Sequence, residues 1–163
     1  MVIVNIRIDD RLIHGQVAAV WSLVTRATRI MVVDDAVVKD DVNKSALKMA
    51  CPTRCKLSIL TAQRATENML ANKYEDEEKI FIVVKNPKTL CDMYDFGFRF
   101  DAVNVGNMGG KQDTIMLKKA VSVSRKDIES FQYLAEKGIK ITAQMVPNDL
   151  AEDFIELIQK AKR

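Results

Sequence analysis

Short runs of Val- and Ile-rich apolar residues recur along the chain and alternate with segments whose apolar positions return every three or four residues. Runs of the first kind are typical of strands, and periods of the second kind are typical of helices. The runs predict strands at residues 2–8, 29–33, 56–60, 79–84, 102–105, 120–123 and 139–146. The helical periods predict helices at residues 16–26, 39–50, 61–73, 87–94, 125–137 and 148–162.

Polar residues at the predicted helix ends support these bounds. Thr61, Ser124 and Asn148 are expected to cap helix starts, and Gly138 is expected to end the fifth helix. In the first helix, the spacing predicts that four apolar side chains face the core: Val17, Val20, Trp21 and Val24.

Strands and helices alternate without a linker or a repeat, which predicts the α/β class. We expect a single domain over residues 1–163, built on an open, twisted, mainly parallel sheet with helices on both faces. Right-handed crossovers place the strand-to-helix loops at one edge of such a sheet, where ligands bind. The candidate site therefore comprises the loops at residues 9–14, 34–38, 85–88 and 106–114.

Composition narrows the class of protein. The 163 residues are 48% hydrophobic and carry a formal net charge of +3, with no run of five Lys or Arg, so nucleic acid is not an expected partner. No apolar stretch reaches the length of a membrane span, and the amino terminus does not have the pattern of a signal peptide. Three cysteines, an odd number, fit a reducing compartment, so we expect the cytoplasm.

Metal binding finds little support in the pattern. Cys51 and Cys55 are spaced too widely for a redox pair, and Cys91 and the single histidine do not complete a zinc set. We expect buried or half-buried free thiols and no metal. Two pairs of acids follow strands; the pair Asp34-Asp35 is interpreted as a helix N-terminal pair rather than a magnesium site.

The only histidine, His14, lies at the start of the first predicted helix. Free backbone amides and the helix dipole favour an anion there, Arg11 could clamp a phosphate, and Gly15 allows close approach. A neutral imidazole beside such a site can attack phosphorus and hold a phosphoryl group. A hydrogen-bonded surface histidine without catalytic function is the alternative, and from spacing alone both interpretations stay open.

Two further alternatives concern the whole protein. The string GNMGGKQD at residues 106–113 lacks the order of a nucleotide-binding phosphate loop, which weakens the hypothesis of a nucleotide-using enzyme. A non-catalytic regulatory or binding module with a flavodoxin-like sheet remains the main competitor. Uptake of phosphate would distinguish it from a carrier.

Four strings resemble a known family over essentially the whole chain. RIDDRLIHGQV at residues 7–17, VVDD at 32–35, NVG at 104–106 and AQMVP at 143–147 resemble the IIB subunit of the mannose/fructose/sorbose family of the bacterial phosphoenolpyruvate-dependent sugar phosphotransferase system. The resemblance implies a seven-stranded sheet, in number equal to the predicted strands. It also implies that His14 takes a phosphoryl group on Nδ1 from a phosphohistidine of the IIA protein, leaving Nε2 free, and passes it to a sugar.

The resemblance further implies membrane partners, IIC and IID, that carry the sugar, so the chain would be cytoplasmic and peripherally associated with the transporter. The family usually has Gly where this chain has Asn107, and we expect Asn to tolerate left-handed geometry there. Many other IIB families use a cysteine, but none of the three here matches such a site, so His14 has the role. The family does not fix which sugar is transported.

The predicted site follows from these strings and loops. Arg11 and the backbone amides of Gly15 and Gln16 are expected to stabilise the phosphoryl charge, with no cofactor. Asp10, in preference to Asp9, is expected to orient Arg11 or to hold the imidazole tautomer. Two further groups are expected to line the site, Lys85 and the backbone of Gly106. His14 must be reachable by two successive protein partners, so we expect no deep substrate pocket.

Overall fold

The computed structural model describes residues 1–162 and, at residues 16 and 17, the backbone alone. Over these residues the strands are β1 (Val2–Asp9), β2 (Arg29–Val33), β3 (Lys56–Leu60), β4 (Lys79–Val84), β5 (Ala102–Asn107), β6 (Ile115–Lys118), β7 (Val121–Val123), β8 (Lys140–Ala143) and β9 (Glu152–Asp153). The helices are α1 (Gly15–Val24), α2 (Asp41–Ala50), α3 (Ala62–Leu70), α4 (Pro87–Asp95), α5 (Arg125–Glu136) and α6 (Phe154–Ala161), with a short 3-10 helix at Val37–Lys39.

Seven strands form one sheet in the order β3-β2-β4-β1-β5-β8-β9. The first six pair in parallel, and the edge strand β9 pairs antiparallel to β8. The predicted mainly parallel sheet of seven strands is therefore confirmed. Its membership differs from the prediction, because the run at 120–123 lies outside this sheet and β9 takes the seventh place.

The run at 120–123 forms β7 of a separate two-stranded hairpin. It pairs antiparallel with β6, across a tight turn in which Ala120 has a φ of 65°. An isolated bridge between Met108 and Val121 ties the hairpin to the chain beyond β5, through hydrogen bonds of Met108 with Ala120 and Ser122. The connection between β6 and β7 is short, which suits an antiparallel hairpin.

Two of the three predicted helix caps are confirmed, and the third is wrong. Thr61 and Ser124 accept hydrogen bonds from the amides of Arg64 and Asp127, as expected of caps. Helix α6 begins at Phe154, not at residue 148, because Glu152 and Asp153 pair with β8 and the Asp153 carboxylate accepts the amide of Glu156. Asn148 is therefore not its cap.

Helices cover both faces of the sheet. Helices α3, α4, α5 and α6 pack on one face, where Phe131 and Phe154 meet with ring centroids 4.5 Å apart. Helices α1 and α2 pack on the other face, through Ala18, Trp21 and Leu47. Helix α1 is rotated relative to the prediction: Trp21 is buried as expected, but Val20 and Val24 are exposed, and the side chain at residue 17 lies outside the described part.

The strand order reverses direction around β1. The chain leaves β1 toward β2 on one side, returns to insert β4, and then crosses to β5 on the other side. In open parallel sheets a crevice forms at the carboxyl ends of the strands that flank such a reversal. The carboxyl end of β1, Asp9, thus lies beside that of β5, and β8 follows next.

Candidate active site

Asp9, the last residue of β1, is the centre of a compact polar cluster. Its side chain is 1% exposed, and both of its oxygens accept hydrogen bonds. Oδ1 accepts the backbone amide of Arg11 at 3.2 Å and the Nε of Arg11 at 3.3 Å. Oδ2 accepts Nη2 of Arg7 at 3.3 Å and lies 3.2 Å from Nε2 of His14. One buried carboxylate therefore joins two guanidinium groups and the imidazole.

His14 is held through one ring nitrogen only. It occupies the position before α1 with extended backbone (φ −147°, ψ 147°), and its side chain is 22% exposed. A neutral imidazole that donates from Nε2–H to Asp9 has its lone pair on Nδ1. Among the residues 1–162, leaving out the side chains of residues 16 and 17, which the structure does not describe, Nδ1 has no hydrogen-bond partner. Nε2, the nitrogen expected to stay free of the phosphoryl group, is the one that contacts Asp9.

The loop between β1 and α1 is fixed by two buried apolar side chains. Leu12 and Ile13 are each 4% exposed, and the Leu12 amide donates to the Asp9 carbonyl at 2.9 Å. Leu12 adopts a φ of 58°, a left-handed conformation that costs about 1–2 kcal/mol for a residue with a side chain. Burial of Leu12 offsets this strain, which is of the kind found at functional sites. The loop therefore presents His14 in one place.

The first turn of α1 provides the positive end of a helix beside the imidazole. The first intrahelical bond runs from the amide of Ala18 to the carbonyl of His14, so the amides before it lack intrahelical partners. His14 makes no side-chain cap bond, and the first turn has no acidic residue. Gly15 is exposed at this turn; the side chain of Gln16 lies outside the described part, and only its backbone can be placed there.

Arg11 lies at the rim of the same cluster. Its side chain is 44% exposed while its Nε remains bound to Asp9, so the guanidinium is anchored and also reaches solvent. The structure therefore brings together three of the predicted groups around His14: Arg11, Gly15 and the backbone of Gln16. Such a combination of helix amides and a guanidinium favours a phosphate oxygen.

Arg7 was missing from the predicted site. Its side chain is 2% exposed and occupies the space above Gly106, where an added Cβ would lie 1.9 Å from the guanidinium Nη2. Gly106 is thus buried beneath Arg7 and does not offer its backbone to a phosphate, so that prediction was wrong. The sequence did contain a signal, because alternate residues of a strand face one side and Arg7 is two residues before Asp9.

Asp10 does not orient Arg11 or the imidazole, so the choice of Asp10 over Asp9 was wrong. Its carboxylate accepts the side-chain amide of Asn107 at 2.6 Å and the backbone amide of Gly109 at 2.7 Å. Asp10 lies in the turn after β1, where its backbone amide also donates to the Asn107 carbonyl at 3.0 Å, so the residue is bound to the end of β5. Asn107 is the last residue of β5 and does not have a positive φ, so its contribution is a side-chain bond and not left-handed geometry.

Lys85 lies outside the cluster. It lines a cleft of ≈ 1030 Å³ that runs from Asp10 across the carboxyl edge of the sheet to α4 and α5. Within residues 1–162, no hydrogen bond or ion pair joins Lys85 to His14 or Arg11. His14 is not among the residues that line this cleft, so the prediction that Lys85 lines the histidine site was wrong.

The remaining candidate groups have structural roles. Asp34 Oδ1 accepts the amides of Ala36 and Val37, and Asp35 accepts the amide of Ala62, which confirms the interpretation as helix N-terminal acids. The cysteines are free, with Cys91 buried and the other two half-buried, as expected. Burial raises the pKa of the Cys91 thiol to about 11, so it is not a thiolate near neutral pH.

Comparison with known proteins gives the class first. By fold the chain resembles the IIBSor domain of the sorbose permease from Klebsiella pneumoniae, with a TM-score of 0.93 and 34% identity over 98% of each chain. By sequence it is 36% identical to the sorbose-specific EIIB component of Lacticaseibacillus casei over 160 residues, which cover 98% of this chain and 97% of that one. The chain is thus a component of a sugar phosphotransferase system.

The particular subfamily follows from two further comparisons. The family model described as "PTS system sorbose subfamily IIB component" matches residues 3–163. The mannose-specific EIIAB component of Escherichia coli is 36% identical over 160 residues, which are 98% of this chain and 49% of that protein. The chain belongs to the sorbose subfamily of phosphotransferase-system IIB components, which confirms the resemblance stated above.

The helices formed by residues 1–162 include none that is both long and apolar enough to span a bilayer.

Proposed function

We propose that His14 carries a phosphoryl group on Nδ1 between a IIA protein and a sugar bound by the IIC and IID membrane proteins. The observation that carries this proposal is the 3.2 Å contact between His14 Nε2 and Asp9 Oδ2, which leaves Nδ1 as the ring nitrogen with a lone pair. Membership in the IIB family supports the same class of reaction.

The first step is a transfer between two histidines. The Nδ1 lone pair of His14 attacks the phosphorus of a phosphohistidine on IIA, a new N–P bond forms, and the P–N bond on IIA breaks. The leaving imidazole of IIA keeps the electron pair of that bond. Throughout, the Nε2 proton of His14 stays on the ring and is hydrogen-bonded to Asp9, so the carboxylate disperses the positive charge that develops on the ring.

Charge around the ring favours the arriving phosphoryl group. Arg7 and Arg11 contribute two positive charges and Asp9 contributes one negative charge, so these three side chains carry an excess of one positive charge beside the ring. The first-turn amides of α1 add the positive end of a helix dipole. Phosphoryl transfer through a loose transition state depends mainly on such alignment and charge stabilisation.

The second step returns His14 to its starting state. A sugar hydroxyl attacks the phosphorus, its proton leaves to solvent or a base of the membrane complex, and the N–P electron pair returns to Nδ1. The relatives reported above differ in their sugars, sorbose and mannose, so we assign the substrate class as a hexose-type sugar and its selection to the membrane partners. The Escherichia coli relative is an EIIAB component, which supports IIA as the donor partner.

Phosphate uptake tests the assignment. The full chain is incubated with phosphoenolpyruvate, the general phosphotransfer proteins and a IIA partner, and its intact mass is measured. The parent is expected to gain one phosphoryl group and the His14→Ala variant none. A variant with Cys51→Ser and Cys55→Ser is the control and is expected to behave like the parent. Acid-labile phosphate retained on His14→Ala would contradict the carrier role, and a parent without uptake would favour a non-catalytic binding module.

A further inference from the structure

We propose that Arg7 is a positioning residue: it fixes the tautomer and the direction of the His14 ring through Asp9, without touching the transferred group. The effect of Arg7 on phosphoryl transfer rests on the proposed function. The geometry does not: a buried guanidinium and a buried carboxylate hold the ring as the Nε2–H tautomer whether or not a phosphorylated partner is present.

Four acceptors hold the guanidinium of Arg7. Nη1 donates to Asn104 Oδ1 at 2.5 Å and to the Gln144 carbonyl at 3.0 Å. Nη2 donates to the Met145 carbonyl at 3.0 Å and to Asp9 Oδ2 at 3.3 Å. The planar fork therefore fixes the carboxylate relative to β5 and to the segment after β8, which a point charge on a flexible stem could not do.

Three side chains meet at Asp9 Oδ2. Nη2 of Arg7 and Nε2 of His14 both lie within 3.3 Å of that oxygen, and Nη2 of Arg11 lies 3.5 Å from it. The Nε of Arg11 donates to Oδ1. With all three donors in place, neither oxygen can turn without losing a bond. The carboxylate plane is thereby set, and with it the direction from which it accepts the Nε2 proton.

Arg7 also provides a counter-charge for the buried carboxylate. The two side chains are 2% and 1% exposed, and Nη2 of Arg7 lies 3.3 Å from Oδ2 of Asp9. Burial lowers the pKa of the Arg7 guanidinium, and the neighbouring carboxylate of Asp9 opposes that change.

The residues around Arg7 leave a space that its guanidinium fills. A Cβ at Gly106 would lie 1.9 Å from Nη2 and 2.0 Å from Cζ, so the guanidinium and any larger residue at 106 exclude each other. Cζ of Arg7 also lies 5.3 Å from the centre of the Trp21 ring. An aromatic ring, a glycine and three backbone or amide oxygens thus form a fitted slot for one arginine.

The tautomer of the unphosphorylated chain tests the inference. Nitrogen-15 NMR distinguishes a ring protonated on Nε2 from one protonated on Nδ1, and it needs no partner protein. The parent is expected to show the Nε2–H form and Arg7→Met a mixture of both forms. Phosphoryl transfer from phosphorylated IIA is expected to fall about 10- to 100-fold, the range for groups that act through another residue, with KM for IIA unchanged.

Two variants separate positioning from loss of stability. Arg29→Met is the control. Arg29, on β2, also forms an ion pair, with Glu78, but this pair lies away from the site. The variant is expected to keep the tautomer and the transfer rate of the parent. Asn104→Ala removes one anchor of Arg7 and leaves its charge. It is expected to show a smaller change in the same direction, and it decides the question if Arg7→Met does not fold.

The outcomes are distinguishable from those of the carrier hypothesis. A folded Arg7→Met or Asn104→Ala variant with the tautomer of the parent overturns the positioning role, whatever its transfer rate. A parent that shows the Nε2–H form but takes up no phosphate overturns the carrier role and leaves the positioning geometry standing.

Discussion

Replacing Asp9 with Asn tests the cluster at its centre. The substitution preserves the shape of the side chain but removes its charge and places an NH2 group where one oxygen accepts donors. Asp9 now receives donors from three side chains, those of Arg7, Arg11 and His14. An amide offers one oxygen, so at least one of these donors must lose its acceptor.

The expected magnitude has two parts. Breaking a buried ion pair costs about 3–5 kcal/mol, and we expect the low end, about 3 kcal/mol, because Arg7 keeps three other acceptors. Phosphoryl transfer is expected to fall on the order of 10²-fold or more, because the tautomer with a lone pair on Nδ1 is no longer enforced.

Two measurements and one control check this prediction. Urea unfolding gives the free energy of unfolding, and rapid-quench transfer of phosphate from IIA gives the rate. Glu78→Gln is the matched control, because Glu78 is also a buried acid that pairs with an arginine, Arg29, but lies outside the site. It is expected to lose stability and keep its rate. A folded Asp9→Asn variant that transfers phosphate as fast as the parent would refute the role of Asp9.

Three further predictions concern neighbouring groups. Gly106→Ala is expected to displace the guanidinium of Arg7 and to lower the free energy of unfolding, measured in urea, by about 1–3 kcal/mol. An unchanged free energy of unfolding would contradict the close packing of Arg7 against Gly106. Arg11→Ala is expected to fold and to slow transfer, since the half-exposed guanidinium, bound to Asp9 through Nε, is the group that we propose to meet the phosphoryl oxygens; an unchanged rate would remove it from the mechanism. Hydrogen bonds from Arg29 hold the pKa of Glu78 at about 2, below its usual 4.5. Its contribution, at most about 3 kcal/mol, is therefore present above pH 4.5 and is lost as pH falls toward 2, so the stability difference from Glu78→Gln is expected to vanish there in acid unfolding.

The central strands could be predicted from the sequence because they are buried on both faces. The apolar segments at 30–33 and 80–84 are uninterrupted, and they lie in the buried strands β2 and β4. The run at 56–60 is interrupted by Ser58 and coincides with the half-buried edge strand β3. The elements at the opposite edge and outside the large sheet were less predictable. The hairpin of β6 and β7 and the two-residue strand β9 depend on which partner is nearest in space, and local composition does not contain that information.

The candidate site could likewise be predicted only in part. His14, Arg11 and Gly15 could be proposed because they lie together in sequence at the start of one helix. The error at Asp9 and Asp10 came from not locating the end of β1: Asp9 ends the strand and contacts the imidazole, whereas Asp10 lies in the turn that follows and binds Asn107. Arg7 over Gly106 required the register of β1 against β5, a contact between residues far apart in the chain.

Phosphorus-31 NMR of the phosphorylated chain, kept at alkaline pH to preserve the phosphohistidine, tests the central claim most directly, because it shows which ring nitrogen bears the phosphoryl group. We predict one signal, of the Nδ1 isomer, that is absent from His14→Ala. A signal of the Nε2 isomer, or one that persists in His14→Ala, would contradict the account.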